Sequence, residues 1–308
     1  MTDFDVIIVG GGPAGLSAAL VLGRCCRSVL VLDAGEPRNR SARALHGFLT
    51  RDGTAPADFL ALGRDDLARY GIEVIPEKAC EAEALGDGRF RVGLDDGRSF
   101  TARRLLLATG VRDRLPGVDG ANDFYGRGLY HCPYCDAWEH RGRPMAVYGK
   151  GSAAVGAAVA LTTWSDDVTA CTDGEPISPD ERAWLDAAGV ALREEPILRL
   201  EGSGRLERIV FEAGDPLPCE ALFFNTSRVQ DSALPRVLGC ELDEAGEVVT
   251  GSDQSTCVPG LYLAGDADGD AQFIVTAAAE GARAALTINH ALQQEEHPPR
   301  PTPAVPSE

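Results

Sequence analysis

Asp5-Val6-Ile7-Ile8-Val9-Gly10-Gly11-Gly12-Pro13-Ala14-Gly15 opens the chain with a nearly continuous apolar run that stops at glycine. Such a run suits a strand buried on both faces of a parallel sheet, where no solvent face demands alternation. Residues 13–24 are helical in composition, and a second apolar run, Val29-Leu30-Val31-Leu32, stops at Asp33. Strand, glycine turn, helix and strand therefore form one βαβ unit. Gly10, Gly12 and Gly15 have the spacing G-x-G-x-x-G, with Pro13 and Ala14 completing the turn. The first glycine allows the tight turn, the second lets backbone approach a pyrophosphate, and the third lets helix and strand pack closely. Asp33, roughly 20 positions beyond the glycines, is placed to accept hydrogen bonds from a ribose. The stretch predicts dinucleotide binding.

The pattern returns later in the chain. Residues 144–148 are strand-like, Gly149-Lys150-Gly151 is a turn, residues 152–164 are alanine-rich and helical, and Val168-Thr169-Ala170-Cys171 is a second strand leading to Asp173. Gly149, Gly151 and Ala154 repeat the spacing with the smallest side chain in place of the third glycine, so they and Asp173 are candidates for a nicotinamide nucleotide. From Asp166 to Glu181 there is no Lys or Arg, but six acids: Asp166, Asp167, Asp173, Glu175, Asp180 and Glu181. A 2'-phosphate is unwelcome there, and NADH suits the local charge better than NADPH. The alternative is a structural relic that binds no nucleotide.

Between the two units lie a polar segment (36–57), a helix near 57–70 and a β-rich excursion (72–107) that closes on Ala108-Thr109-Gly110. Residues 178–188 read as a helix capped by Ser178, followed by strand pieces through Phe224. Residues 260–266 read as a strand running into a loop, and 272–292 as a long helix. The fold class is α/β with two Rossmann-like dinucleotide-binding folds.

A length of 308 residues allows two domains, and 44% hydrophobic with 25% charged residues is a globular composition. A net charge of -18 repels phosphate backbones and anionic lipid, so nucleic acid and membranes are not expected partners. The acidic N-terminus and the lack of a long apolar run lead to the expectation of a cytoplasmic protein. Nine cysteines, an odd number, argue against a full disulfide framework. Cys80, Cys171, Cys219, Cys240 and Cys257 read as small buried hydrophobes, and Cys25 and Cys26 as packing residues of the first helix.

Cys132-Pro133-Tyr134-Cys135 is different. Two cysteines three apart can close a small disulfide ring, in which one thiol is activated and the other resolves a mixed disulfide. Zinc would need a second ligand pair, and the sequence has no other C-x-x-C, so no metal is expected. The neighbours His131, Asp136, Glu139 and His140 are polar and suited to proton transfer, whereas Tyr134 and Trp138 read as packing.

These features together resemble the low-molecular-weight thioredoxin reductase family of FAD-dependent disulfide oxidoreductases, over nearly the whole chain to about residue 292. The resemblance implies that the first fold binds FAD and that the second, carrying the redox cysteines and a nucleotide site, is inserted into it. The boundaries would then be 1–112 and 241–292 for the FAD domain and 113–240 for the inserted domain, with 293–308 a disordered proline-rich tail. Thr109 and Gly110 match the family's Ala-Thr-Gly segment, Gly265 and Asp266 its second flavin-binding strand, and Gln272 the position near the flavin ring. By the same resemblance Cys135 faces the flavin, Cys132 exchanges with substrate and Asp136 is the acid. A homodimer is implied as well. Cys132-Pro133-Tyr134-Cys135-Asp136-Ala137-Trp138-Glu139 also looks like the dithiol oxidases that form disulfides in natural products such as gliotoxin, holomycin and romidepsin, which reoxidise FAD with oxygen. Many of those carry His directly after C-x-x-C, where this chain has Asp136, as the reductases do. Expected activities are therefore dithiol oxidation of a small molecule, NAD(P)H-dependent reduction of a thioredoxin-like protein, or redox sensing by a non-catalytic flavoprotein.

Overall fold

The computed structural model describes residues 3–269 and 271–297, which fall into two compact units. One comprises the chain up to Pro37, Ala57–Val111 and the chain from Gln230 onward; the other comprises Arg38–Pro56 and Arg112–Val229.

In the first unit, the described residues build a seven-stranded sheet. Asp3–Val9 runs parallel to both Val29–Leu32 and Ser99–Leu107, with Val9 facing Leu32 on one side and Leu107 on the other. Leu261–Leu263 joins in parallel beside Ser99–Leu107. Val6, Ile7 and Ile8 are fully buried because helices cover one face, chiefly Pro13–Arg24 and Ile274–Glu296, while on the other Ile7 shares a core cluster with Phe90, Val92, Leu94, Leu234 and Cys240. Both Leu32 and Leu107 end at the same sheet edge as the glycine turn, which is where crossover topology opens a ligand crevice.

The second unit has its own five-stranded parallel sheet, in the order Ala191–Arg193, Val168–Cys171, Met145–Tyr148, Ala221–Phe224, Leu129–Tyr130. The α/β class with two Rossmann-like folds, the second inserted, is the observed architecture.

Several boundaries differ from expectation. Residues 38–56 belong with the second unit, because Ser41 backbone packs where a Cβ on Gly126 would stand and Arg38 pairs with Asp113. The chain returns to the first unit at 230 instead of 241, since Leu234 and Cys240 are part of the first unit's core. The last helix runs through Glu296, where Arg27, Arg103 and Arg104 hold Glu295 and Glu296, so residues 293–296 are not tail. Residues 298–308 of the expected tail lie outside the described residues. Helix 152–164 shortens to a 3-10 turn, Gly151–Ala154, and a helix, Val155–Leu161, with β-branched Thr162 and Thr163 at its end.

Cys171, Cys219 and Cys240 are buried thiols as expected, but Cys25, Cys26, Cys80 and Cys257 are exposed. Cys25 caps its helix and Cys26 adopts a left-handed φ of 59°, which turns both out of the core.

Candidate active site

The first glycine turn leads from Asp3–Val9 into Pro13–Arg24. A Cβ on Gly10 would strike the Ala108 carbonyl, one on Gly11 the Asp33 carboxylate, and one on Gly15 the Gly10 carbonyl. Gly12 is the exception, with nothing described within 4 Å of its missing Cβ. As helix N-cap it also brings no capping side chain, which leaves first-turn N–H groups to an anion. The Thr109 hydroxyl is buried without a hydrogen-bond partner among the described residues, and Gly110 beside it turns with φ of 66°. An open backbone cradle plus an orphaned buried hydroxyl fit a bound dinucleotide such as FAD. Asp33 accepts an N–H from Gly35 at 3.0 Å and pairs with Arg64 at 2.8 Å, so its carboxylate is held at the turn by protein partners.

Across the same sheet edge, Gly265 has φ of 85°, and a Cβ there would meet Ala14 Cβ at 3.0 Å. Its N–H donates to Glu280 Oε2 at 2.7 Å, and Glu280 is only 4% exposed. Gln272 lies just before the helix that starts at Ile274, and its amide donates to the Asp266 carbonyl at 3.2 Å. The helix begins two residues later than expected because Phe273 is extended.

Cys132 and Cys135 form a disulfide, with Cα atoms 5.3 Å apart. Cys132 is the N-cap of the short helix Pro133–Asp136, and its carbonyl accepts N–H groups from Cys135 and Asp136 at 3.2 Å each. Pro133 at the first helical position presets this turn. Asp136 ends it half-buried. Burial, then the charge of Glu139, pushes its carboxyl up to about 7 against a smaller opposing effect of His46. His46 in turn lies 3.6 Å from Glu139 and 3.4 Å from Asp52.

On the other side of the pair, His131 Nδ1 lies 3.4 Å from the Tyr125 hydroxyl and 3.8 Å from Asp113. Tyr125 donates to Asp113 at 2.7 Å, and Arg38 donates to both of its oxygens, at 2.9 and 2.5 Å. Burial opposes ionisation of Asp113, but Arg38, His131 and Tyr125 together hold its carboxyl below the usual range. His140 is 3.1 Å from the Tyr130 hydroxyl, and burial keeps its imidazole below the ordinary value. Tyr134 and Trp138 are not packing residues: they are 75% and 61% exposed, Tyr134 edge-on to Trp164 and Trp138 under Arg141.

The second glycine turn keeps the geometry of its motif, since a Cβ on Gly149 would lie 2.7 Å from the Ala154 nitrogen and Gly151 has φ of 54°. Its surroundings are anionic. The Glu175 carboxylate comes within 3.4 Å of where a Gly151 Cβ would stand, and Glu181 hydrogen-bonds Ser152, the residue after that glycine. Asp173 is consumed internally, accepting from the Tyr148 hydroxyl at 2.9 Å and the Ile197 N–H at 3.0 Å. Arg182 and Arg193 are paired with Glu194 and Glu195. Among the described residues no helix is long and apolar enough to cross a membrane.

Glu280 and the Arg38–Asp113–Tyr125 cluster are site-supporting residues that sequence patterns missed. A lone acid in an alanine-rich helix and three residues far apart in the chain carry no motif.

Residues 4–281 match the model of the pyridine nucleotide-disulphide oxidoreductase family. The chain is 31% identical to the probable thioredoxin reductase of Arthroderma benhamiae, over 95% of this chain and 81% of that one. It is 29% identical to thioredoxin reductase sirT of Leptosphaeria maculans, over 93% of each. Among solved structures, HlmI superposes with a TM-score of 0.92 at 35% identity, over 96% of this chain and 94% of that one. The putative thioredoxin reductase TrxB of Bacillus anthracis gives 0.91 at 29%, over 95% and 99%.

Proposed function

The chain belongs to the pyridine nucleotide-disulphide oxidoreductase family and is an enzyme of its thioredoxin reductase-like type; from that premise we propose that it works as an FAD-dependent dithiol oxidase, closing a disulfide in a small-molecule dithiol. FAD is held by the unit containing Gly10, Gly12, Pro13, Ala14, Gly15, Asp33, Thr109, Gly110, Gly265, Asp266 and Gln272, and the protein acts as a homodimer. The observation that carries the direction of electron flow is the pair of carboxylates, Glu175 and Glu181, at the second glycine turn. A pyrophosphate placed there would meet the like charge of these carboxylates.

A substrate thiolate attacks the Cys132 sulfur, the Cys132–Cys135 bond breaks, and Cys135 leaves as the thiolate. The second substrate thiol then attacks the substrate sulfur of this mixed disulfide, releasing the product disulfide and Cys132. Asp136, its carboxyl poised near neutral, accepts the proton that the attacking thiol loses and returns it to the departing sulfur. FAD bound there would supply the two-electron acceptor for the reduced Cys132 and Cys135, with oxygen as the final oxidant.

The test is flavin absorbance under anaerobic conditions, with a small dithiol, NADH and NADPH added separately. Bleaching by dithiol alone, with colour restored by air, is the expected outcome. Flavin reduction by either nucleotide at a rate matching turnover would sink the oxidase reading. It would establish the second reading, a NAD(P)H-dependent thioredoxin reductase, which the intact Gly149–Ala154 turn and the exposed Lys150 within it favour.

Asp136 also sets a pH dependence. Its folded value of about 7 lies above the ordinary carboxyl value, so the folded protein holds more protons than the unfolded chain between the two. Its stability contribution is therefore fullest below the ordinary value and falls as pH rises toward 7. Asp136→Asn is expected to remove a difference on the order of 3 kcal/mol between unfolding free energies measured by denaturant titration at pH 4.5 and pH 8. In the same variant the pH–rate profile of dithiol turnover should lose its inflection near 7, and an unchanged profile would exclude Asp136 as the proton carrier.

A further inference from the structure

Cys240 and Cys257 lie in the first unit, apart from the redox pair, and the backbone brings them together from 17 positions apart. The Cys257 sulfur accepts the N–H of Glu241 at 3.3 Å and donates to the carbonyl of Gly239 at 3.5 Å, so it sits against the two peptide groups that flank Cys240. Reciprocally, the Cys240 thiol is hydrogen-bonded to Thr256, the residue before Cys257. The Cys257 sulfur therefore already rests on the backbone that carries Cys240, which is the proximity a disulfide needs. Cys257 is exposed, whereas Cys240 is 9% exposed. One thiol is open to an oxidant and the other waits behind it.

We infer that Cys240 and Cys257 form a second, reversible disulfide whose oxidant is a hydroperoxide. The Cys257 sulfur attacks one peroxide oxygen, the O–O bond breaks, and a sulfenic acid and one water (or alcohol) result. The Cys240 sulfur then attacks the sulfenic sulfur, the S–S bond forms, the S–O bond breaks and a second water leaves. Two electrons pass from the two thiols to the peroxide, and both thiol protons end in water. Burial pushes the Cys240 thiol up, in keeping with its role as resolving and not attacking group.

The loop closed by this bond already rests on the segment assigned to the flavin. Leu242 and Val248 pair across its neck, the Val248 N–H reaches the Ala267 carbonyl at 3.4 Å, and the Leu263 N–H donates to the Gln254 carbonyl at 3.1 Å. Glu247 packs where a Cβ on Gly269 would stand. Oxidation would therefore strap residues 241–256 against the strand and turn that carry Gly265 and Asp266. The bond holds for either direction of electron flow.

The flavin-loaded protein is reduced, freed of reductant, treated with stoichiometric hydrogen peroxide, alkylated under denaturing conditions and cleaved at acidic residues, several of which separate the two cysteines. The expected result is loss of alkylation at both positions and a Cys240–Cys257 linked peptide that disappears on re-reduction. Cys257→Ser, a change at an exposed position outside the redox site, should abolish the link and restore alkylation of Cys240. Recovery of Cys240 and Cys257 as separate alkylated or over-oxidised peptides, while Cys132–Cys135 reforms, overturns the inference. So does linkage of either residue to a different cysteine, with exposed Cys25, Cys26 and Cys80 serving as internal comparison.

Discussion

Cys135→Ser is expected to lower dithiol turnover by about a thousand-fold or more, the scale at which removing one member of a covalent catalytic unit disables the whole. The serine cannot be the leaving group of a disulfide, so the substrate thiolate has no bond to break at Cys132. Flavin retention should be unchanged, because the residues assigned to FAD belong to the other unit. The variant separates the roles of the two sulfurs. Incubated with the product disulfide, Cys135→Ser should accumulate a mixed disulfide at Cys132, visible as a mass increase equal to the whole product molecule, whose second sulfur stays tethered as a free thiol. Cys132→Ser should not accumulate it if Cys135 is the sulfur turned away from substrate. Turnover within tenfold of the wild type in either variant would leave the redox-sensing flavoprotein as the better description.

The fold was legible where local chemistry and global topology coincide. The run Val6-Ile7-Ile8-Val9 followed by Gly10 has one reading, since a strand buried on both faces needs no alternation and a turn collapsed onto Ala108 admits only glycine. The C-x-x-C pair was legible for the same reason: both partners of the bond lie within one helical turn. What escaped was whatever depends on partners distant in sequence. Asp173 stands where a ribose-binding acid should, and only the arrival of Tyr148 and Ile197 shows its carboxylate already engaged. Tyr134 and Trp138 have the composition of core residues and lie on the surface instead, because the four-residue helix that carries Tyr134 and the 3-10 turn that carries Trp138 bury none of their side chains. Residues 38–56 carry no periodicity, and their allegiance to the second unit rests on contacts with Asp113 and Gly126, more than 70 positions away.

Gly281→Ala is the clearest test of how the flavin segment is supported. A lone glycine inside a 23-residue helix is ordinarily a weak point, and alanine there would raise helix propensity by about 1 kcal/mol. At Gly281, however, an added Cβ would collide with the backbone of Ala14, in the first glycine turn. Backbone cannot rotate aside, so the two helices must separate. Ala14 is also the residue that Gly265 packs against, and one position before Gly281 the Glu280 carboxylate holds the Gly265 N–H. Moving the helix therefore disturbs both halves of the cradle at once. The expected result is a loss of about 3 kcal/mol, the upper end of ordinary overpacking, together with a lower flavin-to-protein absorbance ratio after purification. Gly156→Ala is the control. That glycine is also helical, with nothing described within 4 Å of its missing Cβ, so the same chemical change should be neutral or stabilising by about 0.5–1 kcal/mol. If Gly281→Ala proved as stable and as yellow as the control, close approach at Ala14 would not be what shapes the dinucleotide site, and the open face at Gly12 alone would have to account for it.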